Sequence, residues 1–185
     1  MQKDVQLCVV GKVFKPNRLK VLALNKCLNE YFRLVKWYLR FNFKSKSFLH
    51  EKGYGMAKKL FNLNTALIQT ARDKAVEILK SFEKNRREDS ILSLKRISIR
   101  FDERCYSFSK TTNILTPYWL TLSLNRRERI SLPIVFGERQ RRMVEEALRG
   151  DWQFSTVEMV KRDGEWYAHF TLRKTVEFSD EPETI

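Results

Sequence analysis

Residues 155–175 read STVEMVKRDGEWYAHFTLRKT, and this stretch decides how the last part of the chain folds. Two runs in which apolar and polar residues alternate flank the pair Asp163-Gly164. Because Asp-Gly accepts the positive φ angles of a tight type I′ turn, the pattern predicts a β-hairpin. Alternation along the second strand predicts one buried face, formed by Trp166, Ala168, Phe170 and Leu172.

Upstream of this hairpin, alternating segments predict further strands at residues 4–14, 95–101, 105–109, 119–124 and 129–136. We expect one hairpin around residues 102–104 and another around residues 125–128. Pro133 lacks a backbone N–H and therefore favours an edge position for its strand. Residues 137–148 are typical of a short helix, which Gly150 closes.

Three helices are predicted between the first strand and the second. Apolar side chains recur every three or four positions over residues 18–46, which predicts a long amphipathic helix, and residues 56–63 and 65–87 predict two more. Asn17 and Asn64 precede two of these segments and are typical N-cap residues. Residues 46–54 are predicted to form a loop, because this stretch contains Gly53 and is followed by Gly55.

These elements predict an α+β fold, a small antiparallel β-barrel of about seven strands with a helical lobe inserted after the first strand. The predicted barrel comprises residues 1–16 and 94–177, and the lobe comprises residues 17–93. Residues 178–185 are predicted to form a polar tail that contains the acidic cluster at 180–183.

Charge is distributed unevenly along the chain, whose formal net charge is +14. Residues 1–142 contain 31 Lys and Arg against 12 Asp and Glu, whereas residues 143–185 contain 5 against 10. This asymmetry indicates a polyanionic partner. A membrane surface is the competing polyanion, but no basic stretch has a bulky apolar face free for lipid. No apolar run approaches the roughly 20 residues of a membrane span, and no signal peptide is visible. A cytoplasmic location is expected.

One face of the predicted 18–46 helix carries a basic stripe opposite the apolar one. Its members are Lys26, Arg33, Lys36, Arg40 and Lys44. A solvated helix face normally mixes charges of both signs, whereas this region contains a single acid, Glu30. We interpret the stripe as a contact surface for phosphates; a merely solvated face is the alternative.

The sequence offers few groups for metal or covalent chemistry. Cys8, Cys27 and Cys105 include no Cys-x-x-Cys pair, and His50 and His169 are the only histidines, so no zinc site is predicted. The three cysteines are expected to be buried free thiols. No cofactor is predicted, since there is no Gly-rich phosphate loop.

The phrase Val-Lys-Arg-Asp-Gly-Glu-Trp-Tyr at residues 160–167 resembles the hairpin that precedes the RuvC nuclease domain of TnpB (OrfB-type) transposon proteins. Residues 12–16, 31–38, 106–108 and 129–133 match other phrases of that family in order and spacing. Residues 96–101 depart from it, because they replace a basic Pro-x-Phe-Lys phrase. The resemblance implies a wedge (WED) domain with an inserted recognition (REC) domain.

The same resemblance implies an RNA-guided function. Members of the family bind a guide RNA, read a short flanking motif on double-stranded DNA, and cut through the carboxylates of a RuvC domain. Here the chain stops ten residues after the hairpin, so we expect a binding module without catalytic residues, whose parent carries the RuvC domain. A standalone RNA- or DNA-binding regulator is the alternative function.

Two sets of contact residues are predicted. The resemblance implies that Tyr54, Thr65 and Gln69 meet the flanking motif. Gln69 has an amide that can pair with adenine, and an exposed polar helix residue is the alternative. Nucleic-acid backbone is expected to meet the stripe together with Lys12, Lys15, Arg18, Lys58, Lys59 and Arg72. Trp37, Tyr38 and Trp119 are candidates for base stacking, with burial in the core as the alternative.

Overall fold

The computed structural model describes residues 2–87 and 91–177. The predicted tail, with its acidic cluster, lies outside this part of the chain. Seven strands and four helices follow one another as β1 (Gln2–Val13), α1 (Arg18–Leu39), α2 (Lys46–Leu60), α3 (Thr65–Asn85), β2 (Ile99–Phe101), β3 (Tyr106–Lys110), β4 (Tyr118–Ser123), β5 (Arg129–Val135), α4 (Glu138–Arg149), β6 (Gln153–Arg162) and β7 (Glu165–Glu177). The α+β class and the strand number are confirmed.

All seven strands belong to one antiparallel sheet in the order β2-β6-β7-β1-β5-β4-β3. The prediction of a closed barrel is wrong, because β2 and β3 are the two edges of an open sheet. Side chains nevertheless connect β3 to β6, which are not neighbours in this order. The Tyr106 hydroxyl donates to the Ser155 carbonyl at 3.2 Å, and the Phe108 and Phe154 rings lie 5.4 Å apart.

The hairpin at residues 155–175 is confirmed. Arg162 of β6 pairs with Glu165 of β7, and the two turn residues Asp163 and Gly164 have φ angles of 50° and 80°. The predicted face of β7 is buried throughout. Along its other edge, β7 forms a long antiparallel ladder with β1.

Two predictions of strand pairing are wrong. Residues 102–104 do not connect a hairpin, because β2 pairs with β6 and β3 pairs with β4. Pro133 does not lie at an edge, since β5 lies between β4 and β1. Its missing N–H falls where β1 ends, and its carbonyl accepts from Phe14 N at 2.9 Å.

The boundary between α1 and α2 also differs from the prediction. α1 ends at Leu39, and residues 46–54 belong to α2 instead of a loop. Ser45 caps α2 by accepting from Phe48 N at 3.3 Å. Gly53 is buried in this helix, and an added Cβ would lie 3.1 Å from the Tyr38 ring. This glycine therefore allows close helix packing rather than a turn.

The predicted helix caps are confirmed. The side chains of Asn17 and Asn64 each accept a backbone N–H at 2.9 Å, from Lys20 and Ala66 respectively. Gly150 ends α4 with a φ angle of 97°. α3 packs against α1, α2 and β2, and helices and sheet share one buried hydrophobic cluster. Cys27 and Cys105 lie buried within it, whereas Cys8 is exposed, contrary to the prediction.

Candidate nucleic-acid interface

The basic stripe of α1 is exposed at Lys26, Arg33, Lys36 and Arg40. The opposite side of the helix is buried through an apolar stripe formed by Leu24, Cys27, Tyr31, Leu34, Val35 and Tyr38. Lys44 does not belong to the helix; it lies beyond its end and pairs with Glu83 of α3. The stripe therefore consists of four cations instead of five.

Three further cations come from the loop between β4 and β5 and from the first residue of β5. A cleft of about 700 Å³ is lined by Asn62, Asn125, Glu128 and the three arginines Arg126, Arg127 and Arg129. A smaller cavity of about 110 Å³ adjoins it and is lined by Lys26 and Glu30 of α1 together with Asn62, Asn125 and Glu128. The loop is rigidly built, because Asn125 Oδ1 accepts from the backbone N–H groups of Arg127 and Glu128 at 3.0 Å.

We call this continuous surface the basic groove. Its members are Lys26, Arg33, Lys36, Arg40, Arg126, Arg127 and Arg129. Two acids lie beside it, and both have internal partners. Glu30 accepts from Arg33 at 2.8 Å and from Asn62 N at 3.3 Å, and Glu128 accepts from Asn125 Nδ2 at 2.8 Å. Apart from Arg33, no member forms an ion pair within residues 2–87 and 91–177.

Aromatic rings lie at the α1 end of the basic groove. Trp37 and Phe61 line a recess of about 220 Å³ together with Arg33, Lys36 and Arg40. Trp37 is half-buried and packs edge-on against the rings of Tyr38 and Phe61. Tyr38, one of the three residues predicted as stacking candidates, is fully buried and therefore belongs to the core. Trp119 is half-buried, and Lys20 Nζ lies 5.8 Å from its ring centroid.

The predicted base-reading residues lie on α2 and α3. Tyr54 stacks on His50 with ring centroids 4.5 Å apart, and Lys58 Nζ lies 5.0 Å from its ring. Thr65 is the first residue of α3. Gln69 Oε1 accepts from an Arg104 guanidinium nitrogen at 3.0 Å. A base edge that pairs with Gln69 has to replace or share this contact.

The remaining cations predicted to contact nucleic-acid backbone differ in exposure and in whether they already form ion pairs. Arg72 has a side chain only 12% exposed and is bound to Asp73 at 2.6 Å and to His50 Nδ1 at 2.9 Å. Lys12 pairs with Glu165 at 2.7 Å. The others are exposed, namely Lys15, Arg18, Lys58 and Lys59.

A second charged cluster lies where α3 meets β2 and β6. Lys74 is buried, and its Nζ donates to Ser98 Oγ at 2.6 Å and to Glu158 Oε2 at 3.2 Å. Arg100 Nε donates to Glu158 Oε1 at 2.8 Å. Burial opposes the charge of Glu158, but Lys74, Ser98 and Arg100 lower its pKa to about 2. Burial lowers the pKa of Lys74 despite its proximity to Glu158.

Sequence reasoning missed the arginines of the β4–β5 loop. Their position beside α1 depends on the sheet order, which no local pattern encodes. The available signal was the adjacent pair Arg126-Arg127 in a predicted turn.

No protein-family model matches the sequence, and no curated protein matches it. Within the described ranges, no group of three or more His, Cys, Asp or Glu is arranged to hold a metal ion. Among the helices described, none has the length and apolar character needed to cross a bilayer.

Proposed function

We propose that this chain is a nucleic-acid-binding module whose basic groove contacts the phosphate backbone of its ligand. The observation that carries this proposal is the meeting of cations from α1 and from the β4–β5 loop on one surface. Six of these cations are free of ion pairs within the described residues. Binding a polyanion to such a surface releases condensed counterions, which is a main source of affinity for nucleic acids.

We further propose that the module serves an RNA-guided nuclease of the TnpB type. The order of one strand, three helices, further strands, a short helix and a final hairpin supports this assignment, together with the phrases that resemble the family. On this proposal the guide RNA follows the basic groove. Tyr54, Thr65 and Gln69 then meet the flanking DNA duplex, while the guide pairs with the target strand.

The salt dependence of binding tests the backbone contacts. We expect the affinity for a structured RNA to fall linearly on a log–log plot, by about 0.7 to 0.9 per phosphate neutralised. The variant Arg40→Glu/Arg127→Glu changes one cation on each side of the basic groove. Its salt slope is expected to be shallower by about 1.5, the loss of two contacts.

A matched control changes the same number of charges elsewhere. Lys3→Glu/Arg173→Glu alters two exposed cations of the β1–β7 ladder. Both lie far from Lys12, which is the predicted backbone contact on β1. Lys3 and Lys12 are nine residues apart, about 30 Å along a strand. The control is expected to keep the wild-type slope. Equal slopes for both double variants would contradict the proposed role of the basic groove.

A further inference from the structure

The loop between β3 and β4 presents two apolar side chains to solvent. Ile114 is 94% exposed and Leu115 is 85% exposed. Asn113 Oδ1 accepts from the backbone N–H groups of Leu115 at 2.9 Å and Thr116 at 3.2 Å. Across the base of the loop, Thr111 N donates to the Pro117 carbonyl at 2.7 Å. The loop is thus a preformed tip with apolar side chains at its end.

A basic cleft of about 900 Å³ separates this tip from α4. Its cations are Lys110, Arg141, Arg142 and Arg149, and Ile114 forms part of its wall. Two acids, Glu145 and Glu146, also line the cleft. Glu145 is bound to Lys110 at 2.7 Å and to the Tyr118 hydroxyl at 2.5 Å. These contacts lower the pKa of Glu145, so its charge persists but is compensated. Arg141 and Arg142 are exposed, with no ion pair in the described part of the chain.

We propose that this tip and cleft form a second nucleic-acid site, which binds duplex DNA through its minor groove. Arg141 and Arg142 contact the phosphates, and Ile114 and Leu115 insert as a wedge between base pairs. Insertion of apolar side chains beside cations bends a duplex by partly unstacking a base step. The site lies at the opposite end of β4 from the basic groove, about 20 Å away along six residues of strand.

The shape of the surface favours DNA over an anionic membrane, the other polyanion that accepts exposed apolar residues. Elements that bind an anionic bilayer place their apolar and cationic side chains along one interface plane. Here Arg141 and Arg142 line a cleft beside the tip, together with Thr111, Thr112 and Asn113. A recess of this kind can receive the curved sugar-phosphate backbone of a duplex, while the tip reaches the bases beside that backbone.

The test uses the full chain and a 20-base-pair, AT-rich duplex with a central TA step, since such steps unstack readily. Anisotropy gives the affinity, and energy transfer between dyes at the two duplex ends gives the bend. We expect Ile114→Ser/Leu115→Ser to lower the affinity about tenfold and to abolish the bend. Arg141→Ala/Arg142→Ala is expected to lower the affinity and flatten the salt slope.

Two further arms make the outcomes decisive. Ile91→Ser/Met56→Ser removes two other exposed apolar side chains and is expected to bind and bend the duplex like wild type. Vesicles of phosphatidylcholine and phosphatidylserine are tested in parallel. The proposal is overturned if the wedge variant keeps wild-type affinity and bend. It is equally overturned if the wild type leaves the duplex straight, or if the wedge variant loses only vesicle binding.

The two nucleic-acid sites fail separately. Arg40→Glu/Arg127→Glu addresses the basic groove and leaves the tip intact, whereas Ile114→Ser/Leu115→Ser carries no charge change. An unaltered RNA salt slope in the first variant argues against the proposed function. An unaltered bend in the second argues against the wedge alone.

Discussion

Replacing Glu158 by glutamine removes the carboxylate that compensates two cations where α3 meets the sheet. Glu158 accepts from Lys74 at 3.2 Å and from Arg100 at 2.8 Å, and its side chain is 26% exposed. Glutamine has almost the same shape, so the substitution leaves the packing in place. Lys74, which is buried, then loses the carboxylate that compensates its charge.

The magnitude follows from the pKa of Glu158. Its pKa of about 2 in the folded protein lies below the ordinary value of 4.5 for a glutamate side chain. At about 1.4 kcal/mol per pKa unit, this difference corresponds to about 3 kcal/mol. Since the group is partly exposed, solvent screening reduces the figure, and we expect Glu158→Gln to cost about 2 kcal/mol at pH 7.

The sign of the pH dependence follows from the direction of the shift. A carboxyl whose folded pKa is depressed stabilises the protein above its unfolded pKa, and this contribution is lost as the pH falls through the folded value. Urea unfolding of the wild type is therefore expected to show stability falling from about pH 5 to pH 2. The glutamine variant lacks this contribution, so its difference from wild type is expected to shrink over the same range.

Glu77 provides a matched control, because it binds the same Arg100 at 2.9 Å but is 47% exposed. We expect Glu77→Gln to cost less than about 1 kcal/mol, as exposed ion pairs usually do. A difference between wild type and Glu158→Gln that stays constant from pH 7 to pH 2 would refute the reasoning. It would mean that glutamine disturbs packing rather than charge.

Three other outcomes are expected. Gln69→Ala should cost about 1–3 kcal/mol of binding to the preferred flanking duplex and little to a scrambled one; equal losses on both duplexes would mean that Gln69 only holds Arg104. Gly11→Ala should lower the free energy of unfolding by about 1–3 kcal/mol, because its Cβ would lie 2.3 Å from Ile134 Cγ2; unchanged urea unfolding would contradict this. With Mg²⁺, structured RNA and target plasmid, the purified chain should leave the plasmid intact on a gel; metal-dependent cleavage would contradict the prediction that the chain has no catalytic residues of its own.

Features with local causes could be predicted from the sequence. The turn at Asp163-Gly164 needs positive φ angles, and the alternation beside it sets which face of β7 is buried, so both follow from neighbouring residues. The caps at Asn17 and Asn64 are equally local. Gly53 shows where this reasoning fails, because its role depends on the distant Tyr38 ring rather than on its neighbours.

Pairing between distant strands could not be predicted in this way. Residues 102–104 form a turn, since Cys105 N donates to the Asp102 carbonyl at 3.0 Å, yet the two flanking strands pair elsewhere. β2 pairs with β6 because Ile99 and Phe101 are buried opposite Met159 and Val157. Long-range packing also places the β4–β5 loop beside α1. Three of the seven members of the basic groove could therefore not be predicted from sequence periodicity.

The acids of this chain explain why its excess charge is concentrated on particular surfaces. Asp73, Glu83, Asp102 and Glu145 each bind a cation of the same molecule. Glu158 does the same inside the fold, where it compensates Lys74 and Arg100. Since these carboxylates are already paired within the molecule, six of the seven cations of the basic groove, and Arg141 and Arg142 of α4, have no carboxylate partner in the described part of the chain. A positive potential at two ends of β4 is the consequence, and it is this arrangement that favours a polyanionic ligand.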